Sequence, residues 1–277
     1  MCKKTIVAFL GVIIVAPFLY LKIPAYLLKS VGINQETHPY SMRVVNEYFE
    51  PLDRTFRKRG PSFLALFFLL EQKAAKGQKE FLIVETGSLR AEPINMPEDG
   101  ASTVLFDNFL RSYKGELHTV DLDPKCKDII EKHCSYSTIV HTGDSVEFLE
   151  NFKRAEYIDI LYLDSYDLNW DNPEPSAEHH LKEIKAVFHK LKPGAIIIVD
   201  DNFEHNGKLI GKGYLVEKFL KEKGIPLIYD GYQKVFQIVP QPEDLEKIDQ
   251  ILHLVSSRTM KFFFKIKKYV NKICALV

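Results

Sequence analysis

Tyr157-Ile158-Asp159-Ile160-Leu161-Tyr162-Leu163-Asp164 and Ala195-Ile196-Ile197-Ile198-Val199-Asp200-Asp201-Asn202 decide the fold. Each is a short, β-branched, mostly apolar run that ends in carboxylates, the pattern of a strand buried on both faces of a parallel sheet. Between them Ser176 to Leu191 has helical spacing, with Leu181, Ile184, Val187, Phe188 and Leu191 on one stripe, and Lys192-Pro193-Gly194 ends it. Strand, helix, strand makes the two strands parallel neighbours, with carboxyl ends about 4.8 Å apart. Open α/β sheets bind ligands at that edge.

Working outward, the alternation continues in both directions. Upstream, Phe81 to Val84 closes on Glu85-Thr86-Gly87-Ser88, and a helix follows over Ser102 to Arg111. Leu117 to Val120 ends in Asp121-Leu122-Asp123-Pro124, and a helix passes through Ile129-Ile130. Ser137 to His141 closes on Gly143-Asp144-Ser145, before a helix from Val146 to Phe152. Downstream come a helix from Tyr214 to Glu222 and strands Pro226 to Tyr229 and Lys234 to Val239. The expectation is an α/β domain with a doubly wound, mostly parallel seven-stranded sheet over 79–240.

The flanks differ. After Lys3 and Lys4, Thr5 to Leu21 is uncharged and apolar, which predicts a membrane anchor in a segment 1–30; a cleaved signal peptide and a peripheral or core helix are the alternatives. An N-terminal hydrophobic helix is therefore part of the expected fold, and the segment 31–78 reads as a helical extension. There Pro61 to Leu70 is very apolar but too short to span, so a buried helix starting at the proline is expected. In 241–277 the basic, aromatic run Arg258 to Lys272 reads either as a helix lying on an anionic membrane surface, which would favour a cytoplasmic catalytic domain, or as a helix packed on the domain. Lys+Arg and Asp+Glu balance at 37 each, so no global charge argues for nucleic acid. The four cysteines show neither metal spacing nor a disulfide framework.

The order Glu-x-Gly, Asp121, Gly-Asp-Ser, Leu-Asp-Ser-Tyr-Asp and Lys-Pro-Gly before an apolar strand resembles the class I S-adenosylmethionine-dependent methyltransferases, over roughly Phe81 to Val239. That resemblance implies a Rossmann-like domain with S-adenosylmethionine on Glu85, Gly87, Ser88, Asp121, Asp144 and Ser145. Gly87 permits a tight turn, and Asp121 stands where an acid bonds ribose hydroxyls. The loop Ser88 to Asp99 is longer than the family's compact glycine-rich turn. A narrower similarity, to the metal-dependent O-methyltransferases, implies a divalent ion such as Mg²⁺ on Asp164, Asp200, Asp201 and Asn202, binding a substrate hydroxyl. The competing reading of these acids is capping of a loop, with Asp164 alone touching substrate.

Asp164 and Asp167 are the candidate catalytic acids; His179, His180 and His205 are further candidates for the base. Tyr166 and Trp170 are candidate substrate walls. The expected activity is methyl transfer to a small-molecule or sugar hydroxyl. A nicotinamide-dependent oxidoreductase would share the sheet, but no Gly-x-Gly-x-x-Gly follows the first strand. A non-catalytic binding module of the same fold is the other alternative.

Overall fold

In the computed structural model, residues 25–48, 56–92, 94, 101–153, 158–205 and 208–256 are described. The N-terminal run 5–21 and the tail 258–272 lie outside them. Among the described residues no helix is long and apolar enough to cross a membrane.

Seven strands form one sheet: β1 (Glu80–Thr86), β2 (Lys114–Asp121), β3 (Thr138–Thr142), β4 (Ile158–Leu163), β5 (Leu191–Val199), β8 (Leu227–Asp230) and β9 (Lys234–Gln237). Their order is β3-β2-β1-β4-β5-β9-β8. The first five are parallel, while β9 runs antiparallel to both β5 and β8. Each predicted strand is present, and the order reverses between β1 and β4, which opens a crevice at their carboxyl ends. Two further strands form a separate hairpin after β5, β6 (Asn202–His205) and β7 (Lys208–Gly211).

Helices cover both faces. Helices α1 (Ala25–Ser30), α2 (Pro39–Tyr48), α3 (Phe56–Ala75), α4 (Ala101–Ser112) and α9 (Pro242–Ser256) share a core with one face. Helices α6 (Ser145–Asn151), α7 (Glu174–Val187) and α8 (Tyr214–Glu222) pack on the other, and α5 (Lys125–His133) seats Cys126 and Ile130 against Leu89. Every residue from Ser62 to Glu71 in α3 is buried, as its apolarity predicts. Phe63 stacks on Tyr162 of β4 with centroids 6.1 Å apart, and Phe67 and Phe81 pack against Phe109 of α4. Each such ring, fully buried, contributes about 1.5–3 kcal/mol.

Two expectations are corrected. Helix α3 begins at Phe56, so Pro61 lies inside it instead of at its first turn. The lost amide costs a backbone bond, but the added turn carries Arg59 to the sheet edge, and Ser62 Oγ donates to Arg59 O at 2.8 Å. The helix expected to run to Leu191 and to be ended by Lys192-Pro193-Gly194 stops at Val187, and Lys192-Pro193-Gly194 lies within β5, because Gly194 N donates to Ile238 O at 2.6 Å and Lys192 pairs with Asp159.

Candidate active site

The parallel strands end in a row of short turns stitched together by backbone hydrogen bonds. Gly87 N donates to Val120 O at 2.9 Å, Gly143 N to Asp121 O at 3.0 Å, Asp164 N to Thr86 O at 2.9 Å, and Asp200 N to Leu163 O at 3.1 Å. Gly87 sits at φ +83°, and a Cβ there would lie 2.5 Å from Asp164 O. Glycine is therefore required twice, by conformation and by space.

One crevice gathers most of the expected cofactor residues. Gly87, Asp121, Asp144 and Ser145 line it with Val120, Leu122, Gly143, Ser165, Tyr166 and His179. A larger open cavity of about 760 Å³ shares Val120, Gly143 and Asp144 with it and runs along the β3 edge past His141 and Phe148. Ser88 lies just beneath, with its amide donating to Asp121 Oδ2 at 3.0 Å and its hydroxyl 2.6 Å from Thr119 Oγ1. Asp121 also accepts from Asp123 N at 2.9 Å, and Asp144 caps α6 by accepting from Glu147 N at 2.9 Å. Ser145 Oγ is 2.9 Å from His179 Nε2.

Glu85 is deeper than the sequence suggests. It is fully buried, and burial pushes its carboxyl up to about 7 against the hydrogen bonds of Ser102, Thr103 and Thr119. Thr103 and Thr119 each donate to Oε2 at 2.7 Å, while Oε1 has no partner among the described residues. A buried acceptor left open in this way fits a cofactor that brings a donor.

The carboxylate edge after β4 and β5 differs from the expected metal site. Lys212, which follows β7, is 1% exposed; its ammonium pairs with Asp164 Oδ1 and lies 3.0 Å from Asp201 Oδ2. Arg59 of α3 grips Asp200, with Nε–Oδ2 at 2.8 Å and an η nitrogen 2.7 Å from the same oxygen, and reaches Asp201 at 3.4 Å. Tyr232 donates to Asp201 Oδ1, and Tyr162 donates to Asp200 Oδ2 at 3.2 Å. The Asn202 amide nitrogen donates to Val199 O and Asp200 O, and its oxygen accepts from Gly213 N. The four residues do converge, but two side-chain cations already occupy the acids and Asn202 is committed to the turn. Among the described residues no cluster of metal-ligating type is present. The donor set does not fit a divalent ion, which wants carboxylates and waters around it.

Charge balance explains the perturbed acids. Burial would lower the Lys212 ammonium, but Asp164, then Asp201 and Asp200, outweigh it and hold it above its ordinary value. Burial raises Asp164 well above the usual carboxylate range, with Lys212 pulling the other way. Asp201 stands at φ +52°, a left-handed conformation costing a non-glycine residue roughly 1–2 kcal/mol.

The remaining candidates separate. Asp167 is outside this network, its side chain 75% exposed and bound to Arg90 at 3.1 Å, so that it ties the loop after β1 to the loop after β4. His179 faces the crevice. His180 is fully buried and held down to about 4 by burial, and its Nδ1 donates to Ser176 O at 2.7 Å. The His205 side chain lies outside the described residues. Trp170 stacks on Phe203 of the hairpin with centroids 4.2 Å apart, and it does not line the crevice, whereas Tyr166 does. Sequence reasoning missed Lys212, Arg59 and Tyr232. Only the hairpin delivering Lys212 had a signal, Asn206-Gly207, the strongest short-range cue for a two-residue hairpin turn.

Residues 98–202 match a family model described as "Methyltransferase domain". No curated protein matches the chain. Among solved structures it is similar to a probable spermidine synthase from Corynebacterium glutamicum (14% identity, 53% of this chain and 47% of that one, TM-score 0.35). It is also similar to NSun6 from Pyrococcus horikoshii (13%, 68% and 56%, 0.45) and to an amino pentose methyltransferase from Micromonospora echinaspora (12%, 66% and 94%, 0.39). The chain spans about half the length of the first two. With TM-scores below 0.5, these likenesses carry no weight in the functional reading.

Proposed function

We propose that this chain is a class I S-adenosylmethionine-dependent methyltransferase, a reading supported by its family match over 98–202 and its sheet, and that it methylates a hydroxyl of a small molecule or sugar, with Asp164 receiving the hydroxyl proton. The observation that carries the reading is the single crevice into which Gly87, Asp121, Asp144 and Ser145 converge, with the Asp164 backbone pressed against Gly87. The antiparallel β9 also argues against a nicotinamide enzyme, whose doubly wound sheet continues in parallel.

Bound S-adenosylmethionine supplies an electrophilic methyl group on a sulfonium sulfur and leaves as S-adenosylhomocysteine. Asp121 gives one lone pair each to Ser88 N and Asp123 N, and a carboxylate has about four acceptor sites, so it retains capacity for two ribose hydroxyls. Asp144 likewise has a second oxygen for an adenine amine, beside the larger cavity on the β3 edge. Glu85 Oε1 is the open buried acceptor for an amino group. Asp164 takes the proton of the acceptor hydroxyl as that oxygen bonds the methyl carbon. No divalent ion enters this scheme, because Lys212 and Arg59 hold the acids.

Labelled methyl donor offered with a panel of hydroxylated acceptors tests the proposal. Asp164→Asn should keep S-adenosylhomocysteine affinity while losing roughly 10²–10⁴-fold in turnover, the usual worth of a positioned base. Unchanged turnover in that variant refutes the role of Asp164.

A further inference from the structure

We infer that Lys212 is the built-in cation of the carboxylate edge: its ammonium stands in for a divalent ion between Asp164 and Asp201, and the site neither needs nor admits one. The inference deepens the methyl-transfer reading by fixing its ion requirement, but its test does not depend on activity.

The geometry is specific. The Lys212 side chain is 2% exposed, whereas those of Asp164 and Asp201 are each 21% exposed, so the cation sits behind the acids, away from the mouth of the cleft. Its nitrogen pairs with Asp164 Oδ1, lies 3.0 Å from Asp201 Oδ2 and 3.5 Å from Asp164 O. A buried lysine is costly unless paired, and here the pairing is double. The hairpin is shaped to deliver it. Gly211, at φ +132°, passes so close to the end of β5 that a Cβ would lie 2.2 Å from Asp201 O. Lys212 N then donates to Asp201 O at 3.3 Å, and Gly213 N to Asn202 Oδ1 at 2.8 Å.

Charge counting points the same way. Three carboxyl groups, Asp164, Asp200 and Asp201, already meet two side-chain cations, Arg59 and Lys212. A divalent ion added to that set would sit beside an ammonium with which it shares both ligands. Without Lys212, two half-buried carboxylates would face one another across an emptied space, the situation that attracts a hard cation.

The test uses the full chain, titrated with MgCl₂ or MnCl₂ against a chelator, reading the unfolding temperature and the heat of ion binding. The wild type should show no saturable ion response and the same unfolding temperature in chelator. Lys212→Ala should gain a saturable Mn²⁺ response. At a hundredfold excess over the dissociation constant its unfolding temperature should rise by roughly 5–10 °C. Lys212→Met, which fills the space without charge, should gain none. Saturable ion binding by the wild type that Asp201→Ala abolishes overturns the inference, as does a folded Lys212→Ala with no ion response. If Lys212→Ala folds only with Mn²⁺, the inference stands; if it never folds, the wild-type titration decides. S-adenosylhomocysteine binding on the same samples separates this question from the methyltransferase reading.

Discussion

Replacing Gly87 with alanine should damage stability and cofactor binding together. The residue holds φ +83°, where a side chain costs roughly 1–2 kcal/mol, and its new Cβ would meet Asp164 O at 2.5 Å. That neighbour is backbone, fixed by the hydrogen bond from Asp164 N to Thr86 O, so it can yield only by separating the ends of β1 and β4. Forced overpacking of this kind typically costs a further 1–3 kcal/mol or so. The sum, about 2–5 kcal/mol, is a large share of a stability of about 5–15 kcal/mol. For a chain of this size it corresponds to a fall of roughly 4–20 °C in unfolding temperature. Scanning calorimetry of wild type and Gly87→Ala measures the stability cost, and isothermal titration with S-adenosylhomocysteine measures the loss of affinity at the crevice. An alanine variant with unchanged unfolding temperature and unchanged affinity would refute both the turn geometry and the placement of the cofactor against it.

Arg59→Ala leaves Asp200, whose side chain is fully buried, with only the Tyr162 hydroxyl at 3.2 Å among the described residues. Breaking one partner of a buried pair costs about 3–5 kcal/mol, read as a drop on the order of 10 °C, and Arg59→Ala/Asp200→Asn should recover part of it. Glu85 gives a pH signature. Its folded carboxyl keeps its proton up to about 7, against an ordinary value of 4.5, so the folded state binds more protons between those limits and loses stability as pH rises through them. The loss reaches roughly 3 kcal/mol above pH 7, and Glu85→Gln should flatten that part of the curve; identical pH profiles for the two proteins would refute the assignment.

The parallel strands were legible because burial on both faces writes itself as short β-branched runs, and the turns because Gly87 and Gly143-Asp144 are demanded by backbone geometry. The core of α3 was legible through the eight apolar residues from Phe63 to Leu70. The ion pairs of the site were not. Arg59 meets Asp200 across 141 positions and Lys212 meets Asp164 across 48, and no periodicity records a pairing of that range. Asp164, Asp200, Asp201 and Asn202 follow the ends of the adjacent strands β4 and β5, as the strand pattern implied, yet the partners of the three acids are cations brought from a hairpin and from a helix whose first turn was missed. Local cues also lost to tertiary pairing at Lys192-Pro193-Gly194, expected to end the preceding helix, where the contact with Ile238 extends β5 back through all three residues.

Titration of the full chain with S-adenosylhomocysteine, beside Asp121→Ala and beside NAD, tests the central claim most directly. The account predicts one saturable site for S-adenosylhomocysteine, weakened by about 10- to 100-fold in a folded Asp121→Ala, as expected for a charge-assisted bond to ribose. It predicts no comparable site for NAD. Binding of NAD with none of S-adenosylhomocysteine, or equal affinity in wild type and Asp121→Ala, would contradict it.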